Sequence, residues 1–180
     1  MPSNTVAAVL AALGFLAGTG GGTLGAAAQQ IGVDQWGISE ANDAITDEKV
    51  ISAGIETDNG LAVMLQCSGG KGFGAVIVPT EPTTKMAFLT MDKSTEVAWR
   101  IDEQPAKFEQ WVVLEGGPKD PYAVATPTDA LAKAILAGGE TLTMRVHGLT
   151  TSVQLEGAAP SVLKAMSACG RSAPEKKPNR

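Results

Sequence analysis

The 180-residue sequence is poor in the side chains that carry most enzyme chemistry, with one histidine and two cysteines. The histidine, His147, lies at the end of a strand-like segment, and a lone histidine in such a position is usually structural. No G-x-S-x-G nucleophile motif is present. Two cysteines and one histidine at positions 67, 169 and 147 lack the spacing of a zinc site. We therefore expect a protein without catalytic residues, bound metal or cofactor.

Acidic residues keep one enzymatic alternative open. Glycoside hydrolysis uses two carboxylates about 5 to 10 Å apart. Asp43, Asp47 and Glu48 form one acidic group along the sequence, and Asp102 with Glu103 forms another. Acids in loops before strands usually hydrogen-bond within turns. A carbohydrate-active hydrolase that uses Asp residues is therefore the weaker alternative.

The first 30 residues contain no charged side chain, and no lysine or arginine precedes Lys49. Residues 6–17 form an apolar run with the length of a signal-peptide core, too short to span a membrane. Small residues at 26–28 fit a cleavage site before Gln29. We predict a cleaved signal peptide over residues 1–28, although its first residues lack the usual positive charge. The mature protein is expected to be periplasmic or secreted, without stable membrane insertion.

Net charge excludes a nucleic-acid-binding role. The chain carries −5, and residues 171–180 hold four basic side chains and one acidic side chain, which leaves −8 for the rest. Phosphate recognition needs a basic surface rather than an acidic one. The Pro, Ser and Lys content of residues 171–180 predicts a disordered, solvated basic tail.

Two cysteines in an exported chain predict one disulfide bond, between Cys67 and Cys169. Such a bond would close most of the domain into a loop. The chain-entropy model assigns about 4 to 5 kcal/mol to a loop of that length.

Alternating apolar and polar residues predict a single domain over residues 29–170, made mostly of short strands. Asn59-Gly60 is the sequence of a two-residue hairpin turn. Residues 80–93 are rich in Thr and Pro, with a short strand expected at 86–91. Thr126 is the expected N-cap of one helix, and a second begins at Pro160. The predicted fold is mainly β (α+β): an antiparallel β-sandwich or curved sheet of about seven or eight strands, with two short late helices.

The segment Trp99-Arg100-Ile101-Asp102 reads as a strand with one apolar face and one charged face. One interpretation is an ion pair between Arg100 and Asp102 on a solvated strand. Such exposed pairs contribute about 0 to 1 kcal/mol. The functional interpretation is an interaction surface that also includes Glu109 or Trp111 from the next strand, because Arg and Trp are common interface anchors.

The order of these motifs resembles that of the VasI/TagO-like proteins, periplasmic modules found beside type VI secretion genes and elsewhere in proteobacteria. Members of that family have a strand that ends in a cysteine, a Tyr-Arg-Ile-Asp segment, a Trp-containing strand, an F-x-L-x-G strand and a C-terminal cysteine. These elements match Cys67, residues 99–102, Trp111, residues 153–157 and Cys169, over roughly residues 36–170. Trp99 and Val153 stand where the family has Tyr and Phe.

The resemblance implies an exported, non-enzymatic accessory or interaction module, associated with type VI secretion or envelope assembly, with an envelope protein as partner. A second hypothesis is a secreted inhibitor of a cell-wall hydrolase, which would insert a loop such as residues 80–93. The hydrolase described above is the third.

Overall fold

The computed structural model describes residues 31–42, 47–69, 72–115, 121–125 and 129–172. The predicted signal peptide, Thr126 and residues 173–180 of the predicted tail lie outside these ranges. Within the described part of the chain, no helix has the length and apolar character needed to cross a membrane.

Among the described residues, nine strands form a single antiparallel sheet, which confirms the predicted mainly β class with slightly more strands than predicted. The strands are β1 (Gly37–Asn42), β2 (Lys49–Glu56), β3 (Leu61–Ser68), β4 (Gly72–Pro79), β5 (Ser94–Ile101), β6 (Lys107–Glu115), β7 (Pro121–Ala125), β8 (Thr141–Val146) and β9 (Leu149–Gln154). Their order across the sheet is β1-β2-β3-β4-β7-β6-β5-β8-β9, so the sheet is built mostly from hairpins between consecutive strands.

Three helices accompany the sheet: α1 (Pro82–Phe88), α2 (Ala130–Ala137) and α3 (Ala158–Ala168). The last two are the predicted late helices. Helix α2 has Asp129 as its N-cap, and α3 has Gly157 as its N-cap, so α3 begins at Ala158, two residues before the predicted start at Pro160. Helix α1 replaces the strand expected at residues 86–91, and that prediction was wrong. Pro82 stands in the first turn of α1, where a missing N–H costs nothing. Thr84 and Phe88, one turn apart, provide its buried side.

The hairpin between β2 and β3 is present, but its turn is not the predicted two-residue one. Gly60 N–H donates to Thr57 O over 3.1 Å, and Thr57 N–H donates to Leu61 O over 2.7 Å. Gly60 has a φ of +76°, whereas Asn59 keeps a negative φ. A Cβ at position 60 would also collide with the side chain of Glu81. The loop therefore has three residues, 58–60, with glycine at the position that needs a positive φ.

One face of the sheet packs against α2 and α3, and we call it the core face. Its buried residues include Leu65, Trp99, Trp111 and Leu142 from the strands and Val162 from α3. The predicted disulfide between Cys67 and Cys169 is confirmed, with 5.6 Å between the two Cα atoms. It fixes the C-terminal end of α3 to β3 across a sequence separation of 102 residues.

The sheet curls until its two ends meet. Trp36, just before β1, donates its indole N–H to Gln154 O of β9 over 2.8 Å. Asn59, in the β2–β3 turn, donates its side-chain amide to Thr150 O of β9 over 3.1 Å. Both acceptors are carbonyls of the edge strand β9, so side chains rather than a tenth strand satisfy them. Such coverage protects an edge from pairing with other chains.

Candidate functional site: an exposed face of the sheet

The register of β5 with its neighbours separates the two sides of the Trp99–Asp102 segment. Trp99 pairs with Lys107 of β6 and with Met144 of β8, on the core face. Arg100 points to the opposite face, where it pairs with Thr143 of β8. The alternation expected from the sequence is therefore present over Trp99, Arg100 and Ile101.

Asp102 does not continue that alternation. Strand β5 ends at Ile101, and Asp102 has a φ of +50° in the following turn. Its carboxylate accepts the backbone N–H of Thr141 over 2.8 Å and that of Glu140 over 3.0 Å. No ion pair links Arg100 and Asp102, both of which the structure describes. Asp102 therefore joins the β5–β6 turn to the start of β8, and this structural role replaces the predicted ion pair.

Glu109 and Trp111 lie on the wrong side of the sheet to form a surface with Arg100. In the β5–β6 ladder, Glu109 pairs with Val97, and Trp111 pairs with Thr95. Directly paired residues share a face, and Val97 belongs to the core face. Trp111 is fully buried, and its indole N–H donates to Glu109 over 3.1 Å. No partner can contact a buried indole. Of the four predicted residues, only Arg100 is an exposed strand residue on the face opposite the core face.

The residues that do surround Arg100 define a different surface, which we call the Arg100 face. Ala98 lies at its centre, paired with Phe108 of β6 on one side and Arg145 of β8 on the other. Arg100, Phe108 and Arg145 are all exposed. In the next row, the hydroxyls of Thr143 and Ser152 are hydrogen-bonded to each other over 3.0 Å.

Phe108 is the most unusual member of the Arg100 face, because 59% of its surface is exposed. Val112, four residues further along β6 and on the same side, is 46% exposed. Ala98 beside Phe108 is only 8% exposed, since longer side chains flank it. An exposed aromatic side chain next to two arginines forms the kind of surface on which protein partners bind.

The described residues assign a structural role to one acidic residue of the hydrolase hypothesis, Asp102. Asp43 lies outside them, and Asp102 is occupied by backbone N–H groups. His147 starts a tight turn with a φ of +45°, and its Nε2 lies 3.2 Å from Thr90 Oγ1. Among the described residues, no group of three His, Cys, Asp or Glu side chains could hold a metal ion.

The inhibitor alternative also changes, because residues 80–93 include helix α1 rather than forming an extended loop. Met86 and Leu89 are exposed on or next to that helix. Phe108 and Arg145 were not predicted from the sequence as members of a surface. Their signal was present in the alternation of β6 and β8, but combining them required the register between strands.

No family model matches the chain, and comparisons with curated proteins and with solved structures find no match.

Proposed function

We propose that the chain is an exported, non-enzymatic interaction module of the cell envelope that binds a protein partner through the Arg100 face. The observation that carries this proposal is the exposed cluster of Phe108, Arg100 and Arg145 on one rigid face. A partner would bury the aromatic ring and both guanidinium groups without any rearrangement of the sheet. Aromatic and arginine side chains contribute most of the binding energy in many interfaces.

Export is the second part of the proposal. The disulfide between Cys67 and Cys169 supports it, because disulfides persist mainly in oxidising compartments. The apolar segment at residues 6–17 and the small residues at 26–28 support it from the sequence. The order of motifs shared with the VasI/TagO-like proteins supports a periplasmic accessory role in type VI secretion or envelope assembly.

A crosslinking pull-down from the periplasm of the host tests the interaction. Wild-type protein should recover one envelope partner, and a Phe108→Ser/Arg100→Ala variant should lose it. Arg171→Ala is the matched control, because Arg171 is also exposed but lies after α3, outside the strands of the Arg100 face. Equal recovery by wild type and double variant, or recovery of nothing by wild type, contradicts the proposal.

Intact mass of the protein from the same periplasm tests export. A mature chain that begins at Gln29 with both cysteines oxidised is the expected result. A mass that retains Met1, or two thiols that react before reduction, would show that the chain is not exported as proposed.

A further inference from the structure

We propose that the Arg100 face binds an acidic, extended segment of its protein partner. Carboxylates of that segment meet Arg100 and Arg145, and an apolar side chain meets Phe108. This inference rests on the proposed function and adds the chemistry of the partner.

The two arginines are close to each other, and neither forms an ion pair with a described carboxylate. Arg145 pairs with Ala98, and Arg100 follows Ala98 by two residues on the same face, so the arginines are diagonal neighbours on adjacent strands. Diagonal neighbours have Cα atoms about 7 to 8 Å apart. Of the carboxylates that the structure describes, none lies within 4.0 Å of either guanidinium group. Glu96 precedes Ala98 by two residues on the same face, so it is a diagonal neighbour of Arg145, but its carboxylate lies beyond that distance.

Two adjacent positive charges on one face of a sheet repel each other. A carboxylate placed between them removes the repulsion and accepts charge-assisted hydrogen bonds from both guanidinium groups. The rest of the molecule does not attract such a ligand, because the chain outside its last ten residues carries −8. Two arginines against the one glutamate Glu96 leave the Arg100 face locally basic on an acidic protein, and charge complementarity selects an acidic partner for this face.

An extended segment fits the spacing of the site. Alternate side chains of a strand lie about 6.6 to 7 Å apart on one face, which is close to the separation of diagonal neighbours. Successive side chains on one side of an extended segment therefore reach the two arginines. Phe108, across Ala98 from Arg145, gives the apolar contact that fixes the position of the segment.

The inference is tested with the purified, disulfide-bonded protein and two synthetic peptides. One peptide is acetylated Glu-Thr-Glu-Thr-Leu amide, whose two glutamates and leucine share one side when it is extended, and the other has Gln in place of Glu. Nuclear magnetic resonance follows the side-chain Nε–H signals of Arg100 and Arg145 and the ring of Phe108 during each titration. The acidic peptide should shift these signals and bind progressively less well as salt increases, whereas the Gln peptide should leave them in place.

Variants separate this inference from a general charge effect. Arg100→Gln/Arg145→Gln should weaken binding of the acidic peptide about tenfold, which corresponds to about 1.4 kcal/mol. Arg171→Gln should leave the affinity unchanged. Equal binding of both peptides, shifts confined to other surfaces, or no binding by the acidic peptide overturns the inference. So does a response of the same arginines to a single-stranded oligonucleotide but not to the acidic peptide.

The pull-down distinguishes failure here from failure of the proposed function. If recovery of the envelope partner requires Phe108 but is unaffected in the Arg100→Gln/Arg145→Gln variant, the module still binds through the Arg100 face. The acidic chemistry of the partner would then be wrong, while the proposed function would stand.

Discussion

Asp102 shows how a residue with the features of a functional site can be fully engaged in structure. Its positive φ is tolerated by Asp, and its carboxylate accepts backbone N–H groups at the start of β8. Gly139 next to it has a φ of +146°, and a Cβ there would collide with Ile101 Cγ2 and lie 2.8 Å from Asp102 Oδ2. The backbone before β8 is therefore packed closely against both Ile101 and the Asp102 carboxylate.

Replacement of Asp102 should destabilise the fold. Asp102→Ala removes the acceptor of the Glu140 and Thr141 N–H groups and puts alanine at a positive φ. We expect a loss of about 1 to 3 kcal/mol in the free energy of unfolding, measured by urea denaturation. Asp102→Gly relieves the backbone strain but not the lost hydrogen bonds, and should lie between Asp102→Ala and wild type. An unchanged midpoint for Asp102→Ala, equal to that of the exposed control Glu103→Ala, would contradict this role.

At the scale of elements, the contact between α3 and the β1–β2 hairpin includes a titrating group. Glu40 of β1 lies 2.8 Å from Lys164 of α3 and 2.6 Å from Lys49 of β2. Hydrogen bonds from Lys164 and then from Lys49 lower the pKa of Glu40 from its ordinary 4.5 to about 2. The pKa of Glu40 is lower in the native state than in the unfolded state. Its ion pairs therefore contribute fully to the stability of the fold above about pH 4.5, and this contribution disappears as the pH falls to about 2.

Glu40→Gln should therefore change the acid dependence of stability. Between pH 5 and pH 2, wild type should lose more stability than the variant, by about 0 to 1 kcal/mol per pair because these ion pairs are partly exposed. Thermal unfolding at a series of pH values measures the difference. Glu103→Gln, which removes an exposed acid in the β5–β6 turn, should follow the wild-type curve. Parallel curves for wild type and Glu40→Gln would show that Glu40 does not contribute.

The closure of the curled sheet gives a second prediction at this scale. Trp36→Phe keeps most of the buried ring but removes the N–H that binds Gln154 O. We expect a loss of about 1 to 3 kcal/mol in unfolding free energy, and faster amide hydrogen exchange in β9 than in β3. Asn59→Ala should have a smaller effect, because its hydrogen bond to Thr150 O is exposed. Unchanged exchange in β9 of Trp36→Phe would mean that this bond does not secure the edge.

These elements also show what the sequence could predict. The alternation of Trp99, Arg100 and Ile101 determines which side chains share a face, and this was read correctly. The relation of Arg100 to Glu109 and Trp111 depends on the register across a turn, where a shift of one residue reverses every face. Helix α1 was missed because it has seven residues, too few for a periodic signal, although Pro82 marked its start.

For the whole molecule, the disulfide joins the first half of the sheet to the last helix. Cys67→Ala/Cys169→Ala should lower the unfolding free energy by about 4 to 5 kcal/mol if the loss of chain entropy dominates. Urea denaturation of the variant and of the reduced wild type should give the same midpoint. Stability equal to that of the oxidised wild type would show that packing of α3 on β2 and β3 suffices to hold the chain.

The same bond decides how the protein would respond to mechanical load. If its two ends were pulled apart, tension would pass from β3 through the sulfur atoms directly to the end of α3. The segment between Cys67 and Cys169, which are 102 residues apart in sequence, would then bear no force. Strands β1 and β2 would be the first to detach from the sheet. The strands of the Arg100 face lie inside that shielded loop. A partner bound to the Arg100 face would stay attached to folded strands while the ends of the chain were pulled.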